Sequence, residues 1–156
     1  MRFILLDRIT SMVPGKAIEA EKTLPSTEEL FRDHFPGFPV VPGVLLTEMM
    51  AQACGKCLDA EFRPRGRAML AQIKSAKFRK WVQPDQFCRI TATIRSNEES
   101  FATAVCSVDV GGANVAAAEL MFAFVPRDQF DGDHRDDVLM DYLDSHGGQA
   151  GSRGSQ

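Results

Sequence analysis

Two ionisable side chains stand in surroundings that solubility alone does not explain: His34, in a stretch rich in proline and glycine, and Glu48, in an apolar one. His34 opens the run His34-Phe35-Pro36-Gly37-Phe38-Pro39-Val40-Val41-Pro42-Gly43, whose three prolines and two glycines exclude a helix interior or a central strand. Such a loop can fix an imidazole and bring bare amides close to a ligand. Gly43 follows Pro42 at the start of a helix, so its N–H and that of Val44 face outward with the positive end of the helix dipole behind them, a place for a developing oxyanion. Glu48 lies one turn into that helix. A carboxylate in an apolar wall must be paired, hydrogen-bonded or protonated, and Gln52, one turn later on the same face, is placed to hold it. The competing reading is a helix that turns this edge, with Glu48 and Gln52, to water. Thr47 needs no ligand, because its hydroxyl can return to a carbonyl one turn back. The other two histidines, His134 and His146, fall in an acidic tail and read as solvated.

Cys54-Gly55-Lys56-Cys57 has the spacing of a redox pair or half a zinc site. A redox pair uses a helix N-terminus to stabilise the thiolate, whereas these cysteines fall about three turns inside a helix. A zinc site needs two more ligands, and Cys88 and Cys106 stand singly in strand patterns. Packing cysteines, with no metal and no cofactor, are the expectation.

The elements that must position these groups follow from periodicity. Phe3 to Ile9 is an apolar segment closed by the Pro14-Gly15 turn signal, after which Ile18 to Leu24 reads as a strand. Ser26 and Glu29 have the spacing of a capping box, predicting a short helix that ends near Phe31. From Gly43 to Ala60 apolar residues point in nearly every direction, which predicts a buried helix about 27 Å long. After a basic connection at Arg63 to Arg67 the period changes to two. Cys88, Ile90, Ala92 and Ile94 alternate with polar residues, as do Ala102, Ala104, Cys106, Val108 and Val110; Asn114 to Val125 is a third, more apolar run. Turns at Asn97 to Ser100 and at Gly111-Gly112 would join them. The economical architecture is α+β: an antiparallel meander wrapped around one buried helix.

The whole chain, 156 residues with 44% hydrophobic and 25% charged residues, suits one soluble domain of residues 1–126 plus a tail of 127–156. That tail holds seven aspartates between Asp128 and Asp144 and a Gly-, Ser- and Gln-rich end expected to be disordered; Val138, Leu139, Tyr142 and Leu143 could form a short amphipathic helix within it. No apolar run approaches the roughly 20 residues that cross a bilayer, and no export signal follows Arg2, so a cytoplasmic protein with reduced cysteines is expected. A net charge of −3 gives no reason to expect nucleic-acid binding.

The run from His34 through Glu48 to Gln52 closely resembles the 3-hydroxyacyl-acyl-carrier-protein dehydratases of bacterial fatty-acid synthesis, a hotdog-fold family. The likeness extends to Leu6-Asp7-Arg8, Pro14-Gly15-Lys16, Ile73-Lys74-Ser75-Ala76-Lys77-Phe78-Arg79 and Ala118-Glu119-Leu120-Met121-Phe122, so it covers about residues 3 to 125. It implies a hotdog fold, a catalytic pair of His34 and Glu48 from opposite subunits of a dimer, a Gly43 amide on the thioester carbonyl, and dimers that assemble into hexamers. Gly43, Val44, Gln52 and Phe78 are then the residues expected to meet substrate. The loop Trp81-Val82-Gln83-Pro84-Asp85 departs from the family's usual turn, and the acidic tail lies outside its pattern. Both suggest a specialised lipid or secondary pathway.

The implied chemistry is coherent. His34 removes the C2 proton, helix-end amides stabilise the thioester enolate, and Glu48 protonates the departing C3 hydroxyl; burial in an apolar wall favours the protonated carboxyl this needs. The isomerising branch of such enzymes generally carries aspartate where Glu48 stands. A thioesterase and a non-catalytic acyl-thioester-binding protein are the alternatives. Between Phe62 and Pro84 the chain has seven basic residues and no acidic one, among them Lys74, Lys77, Arg79 and Lys80, which suit docking of an acidic acyl carrier protein.

Overall fold

The structure is a computed structural model that describes residues 1–61, 66–129, 141–143 and 145. The chain forms β1 (Arg8–Val13), β2 (Ala17–Thr23), α1 (Leu30–Asp33), α2 (Gly43–Ala60), β3 (Arg67–Phe78), β4 (Phe87–Asn97), β5 (Phe101–Val110) and β6 (Ala113–Val125). The strands make one antiparallel sheet in the order β1-β2-β4-β5-β6-β3, curled round α2. This is the sheet around one long helix that the sequence predicts, with α2 at the expected bounds.

Burial rather than capping holds α2. Its N-cap is Pro42, with no side-chain cap, whereas Leu46, Met49, Met50 and Leu58 are essentially inaccessible. Each such side chain contributes roughly 1.5–3 kcal/mol relative to leaving it in water. The inner faces of β2, β4, β5 and β6 supply the other half of this core, with Ile18, Ile90, Val108, Leu120 and Phe122 at its centre. Gly111 and Gly112 join β5 to β6 with φ of 59° and 79°, the left-handed pair that a two-residue hairpin turn requires. Gly66, at φ 103°, leads into β3 so close to β6 that a Cβ would fall 1.8 Å from the Val125 carbonyl oxygen.

Within the apolar first segment β1 starts only at Arg8, and Leu5 and Leu6 before it are buried with side-chain anchors instead of a ladder. Lys22 supplies one anchor, its Nζ donating to the Ile4 carbonyl at 3.2 Å and to Asp7 Oδ1 at 2.9 Å. The capping box at Ser26 does not form. α1 begins only at Leu30, after Glu29 and without a side-chain cap, because the Ser26 N–H donates to Asp85 Oδ1 at 2.9 Å across the fold. Finally, β3 is a full strand where the sequence predicts only connection and basic residues. It is the outer edge of the sheet beyond β6, and every residue from Met69 to Phe78 is exposed, including Met69, Leu70 and Ile73.

In the acidic tail, Tyr142 and Leu143 are helical as expected, Leu143 is buried and the Arg2 guanidinium lies 5.1 Å from the centre of the Tyr142 ring. Val138, Leu139 and the Gly- and Ser-rich end lie outside the described residues. Among the described residues no helix is long and apolar enough to cross a membrane.

Candidate active site

Three parts of the fold meet the predicted groups. The first is the loop after α1. His34 ends that helix, its N–H donating to the Leu30 carbonyl at 3.0 Å, and its own carbonyl accepts from the Val40 N–H at 3.0 Å. Phe35 and Phe38 exchange backbone hydrogen bonds of 3.1 and 2.9 Å around Gly37, whose φ is 75°. The half-buried imidazole stacks on Phe35 with ring centres 4.0 Å apart, and among the described residues neither ring nitrogen makes a hydrogen bond. Both remain open to a proton.

The second part is the start of α2. Pro42 accepts the first helical amides, from Leu45 and Leu46, which leaves the Gly43 and Val44 N–H groups undonated among the described residues. Val44 is 74% exposed, so this end of the helix is open. The Phe78 ring covers Gly43 so closely that a Cβ there would lie 3.1 Å from it. A Cβ at this point would make the ring give by a few tenths of an ångström. Thr47 behaves as expected, Oγ1 donating to the Gly43 carbonyl at 3.1 Å.

The third part is the clamp around Glu48. Leu5 N–H donates to Gln52 Oε1 at 2.8 Å. A backbone amide only donates, so this contact fixes which end of the Gln52 amide is oxygen. The NH₂ end then donates to the Phe3 carbonyl at 3.2 Å and to Glu48 Oε1 at 3.0 Å. Gln52 therefore does hold Glu48, and it is itself held by the apolar N-terminal segment at Phe3 and Leu5. Glu48 Oε2 makes no hydrogen bond among the described residues. Glu48 borders a groove of about 440 Å³ between α2 and the sheet, lined by Phe3, Ile4, Ala51, Met69, Leu70 and Phe122 among others.

One chain thus brings Glu48 to Gln52 and Phe78 to Gly43 and Val44, but His34 is not among the residues that line the groove. The sequence missed the groove's other wall, Met69 and Leu70, together with Phe3 and Ile4; the apolar character of those pairs was the available signal. Lys74, Lys77, Arg79 and Lys80 are all exposed along β3 and just beyond it. The Arg79 guanidinium donates to Asn114 Oδ1.

The cysteines are core residues. Cys54 pairs across the core with Cys106, Sγ to Sγ 3.2 Å, and Cys57 donates to the Val13 carbonyl at 3.5 Å. The hydrogen bond to Cys106, and after it burial, hold the Cys54 thiol well above its ordinary range; burial pushes Cys88 up to about 11. Such thiols stay protonated at neutral pH, the opposite of a reactive redox pair. Among the described residues no three His, Cys, Asp or Glu side chains cluster as metal ligands.

Comparison with known proteins places the chain in a family and a fold. The family ApeI-like, described as ApeI dehydratase, matches residues 10–114. The 3-hydroxyacyl-acyl-carrier-protein dehydratase FabZ of Ligilactobacillus salivarius is 38% identical over 122 residues, spanning 76% of this chain and 86% of the relative. That of Ehrlichia chaffeensis is 35% identical over 119 residues, spanning 76% and 82%. Among solved structures, one from the dehydratase heterocomplex ApeI:P of Xenorhabdus doucetiae superposes with a TM-score of 0.61 at 16% identity, covering 79% of this chain and 99% of that one. A mutant of the fluoroacetyl-CoA-specific thioesterase FlK reaches 0.63, also at 16%, covering 77% and 93%. The structural likenesses establish the hotdog fold.

Proposed function

Given that the chain belongs to the 3-hydroxyacyl-acyl-carrier-protein dehydratases, a family of hydro-lyases, we propose that His34 and Glu48 are its catalytic pair and that they meet across a dimer. The protein dehydrates a 3-hydroxyacyl thioester carried on acyl carrier protein to the trans-2-enoyl thioester, in fatty-acid or specialised lipid synthesis. The observation that carries the assignment of residues is the Gln52 clamp, which fixes one oxygen of a Glu48 that lines an acyl-sized groove.

In this reading a neutral His34 nitrogen takes the C2 proton. The electron pair of that C–H bond forms the C2–C3 double bond as the C3–O bond breaks, and Glu48 Oε2 gives its proton so that the oxygen leaves as water. Charge that develops on the thioester oxygen is met by the Gly43 and Val44 amides, which are already oriented and need no reorganisation. Val44 and Phe78 border the entry for the thioester, and proton return from His34 to Glu48 resets the pair. No step needs a metal or redox cofactor. Incubating the protein with enoyl thioesters tests the reading: conjugated absorbance is expected to disappear as water adds, without release of free thiol. Thiol release would identify a thioesterase, and no change on any thioester would leave only a binding protein.

Assembly supports the same site. β3 leaves a twelve-residue edge with apolar side chains exposed, long enough to pair with another strand. A second copy pairing there would cover the groove wall at Met69 and Leu70 and supply the His34 that one chain keeps away from its own groove. Three such dimers would complete a hexamer. We assign catalysis to residues 1–126, treat 127–156 as an extension, and place the enzyme in the cytoplasm.

Gln52 acts as a positioning residue. Gln52→Leu orphans the Leu5 N–H and is expected to cost about 1–3 kcal/mol of stability. It should also lower kcat roughly tenfold with little change in KM, because the substrate site remains while the acid loses its orientation. A kcat per folded dimer equal to wild type would reduce Gln52 to a structural role.

The basic residues favour carrier docking. Replacing Arg79 and Lys80, which follow β3, with glutamate should raise KM for carrier-bound substrate several-fold, most at low salt, and barely alter turnover of a short pantetheine thioester. Equal losses on both substrates would place these side chains in the active site.

A further inference from the structure

Glu48, Gln52, Gly55 and Asp59 recur along α2 at spacings of four, three and four, so they share one helix face, and all four line the groove. Three carry side chains into or beside it; Gly55 carries none. Glycine in the middle of a helix is the least favourable choice after proline. Here neither conformation nor crowding calls for it. Gly55 is not among the glycines with positive φ, and a Cβ built on it meets nothing within 4 Å. Gly43 and Gly66, by contrast, are each pressed by a neighbour.

We propose that Gly55 sets the acyl-chain depth of the groove: its missing side chain is the space through which a long substrate chain passes. The inference rests on the dehydratase reading and names the residue that decides its chain-length range. Seven residues separate Gly55 from Glu48, about 10 Å along the helix axis. With C3 held at Glu48, an extended hydrocarbon advancing about 1.25 Å per carbon reaches Gly55 after about eight further carbons. Short chains end before it. The groove's apolar lining comes from Ala51, Met69, Leu70 and Phe122, and beyond Gly55 on α2 stand Lys56 and the ion pair of Asp59 with Arg67, 4.0 Å apart. The apolar path therefore ends close to one turn beyond Gly55, and a side chain at 55 would end it sooner.

The test is a ladder of enoyl thioesters, crotonyl, octenoyl and dodecenoyl, hydrated by wild-type protein and by Gly55→Ala and Gly55→Leu, with the oligomeric state of each measured by light scattering. For Gly55→Leu the ratio of kcat/KM on dodecenoyl to that on crotonyl should fall at least tenfold. Gly55→Ala should show a smaller fall in the same direction and a Tm several degrees higher, since alanine favours the helix. A Gly55→Leu profile parallel to wild type would overturn the inference, as would a wild-type enzyme that already rejects dodecenoyl. Dissociation of Gly55→Leu would overturn it too, by showing that the partner subunit and not substrate fills the space. If wild-type protein hydrates no thioester at all, the dehydratase reading itself fails, an outcome distinct from the others.

Discussion

Replacing His34 with Ala, or Glu48 with Gln, is expected to slow hydration and dehydration by at least about 10²-fold, the usual consequence of losing a general acid or base, while the protein stays folded. Neither side chain belongs to the core. His34 is half-buried and its ring touches Phe35, and Glu48 is held from its own helix face. The Glu48→Gln change is especially informative, because the new amide oxygen can still accept from Gln52 Nε2. The clamp and the groove persist; the transferable proton does not. A folded, oligomeric variant of either kind that kept near wild-type turnover would remove that residue from the mechanism.

Mixing the two inactive variants should restore activity. If each site takes His34 from one subunit and Glu48 from the other, a His34→Ala and Glu48→Gln heterodimer contains one wholly intact site and one doubly damaged. Random reassociation of equal amounts makes half the dimers mixed, so recovery up to roughly a quarter of wild-type activity is the ceiling for a symmetric dimer. Against parents lowered about 10²-fold, that rise is large. Heterodimers verified by tagged purification that remain inactive would place both groups in one subunit.

What the sequence made legible depended on how local the information was. Gly43–Ala60 was readable because apolar residues cover the helix on nearly all sides and Pro42 marks its start. β4 and β5 were readable because each buries one face. β3 was not: beyond Ala68 every one of its residues is exposed, so no buried face marks an alternation in the sequence. The capping box failed for a related reason. The Ser26 amide found its acceptor at Asp85, a partner no local window contains. His34 and Glu48 stood out by residue type, and Gln52 by its position one turn on. The Gln52 orientation was hidden, since it is set by Phe3 and Leu5, which lie 49 and 47 residues away in sequence.

The attachment of Gln52 to Phe3 and Leu5 makes that segment a component of the Glu48 carboxyl's alignment. Terminal segments are ordinarily the first to fray, opening at little free-energy cost. Here fraying is resisted by the Lys22 contacts to Ile4 and Asp7 and by the Met1 ammonium group, 3.7 Å from Glu28. Each opening of Phe3 to Leu5 withdraws two of the three hydrogen bonds that orient the Gln52 amide, so the population of aligned Glu48 is tied to that of the closed N-terminus. The solvent-exchange rate of the Leu5 amide proton is therefore a direct gauge of how often the Glu48 carboxyl is released.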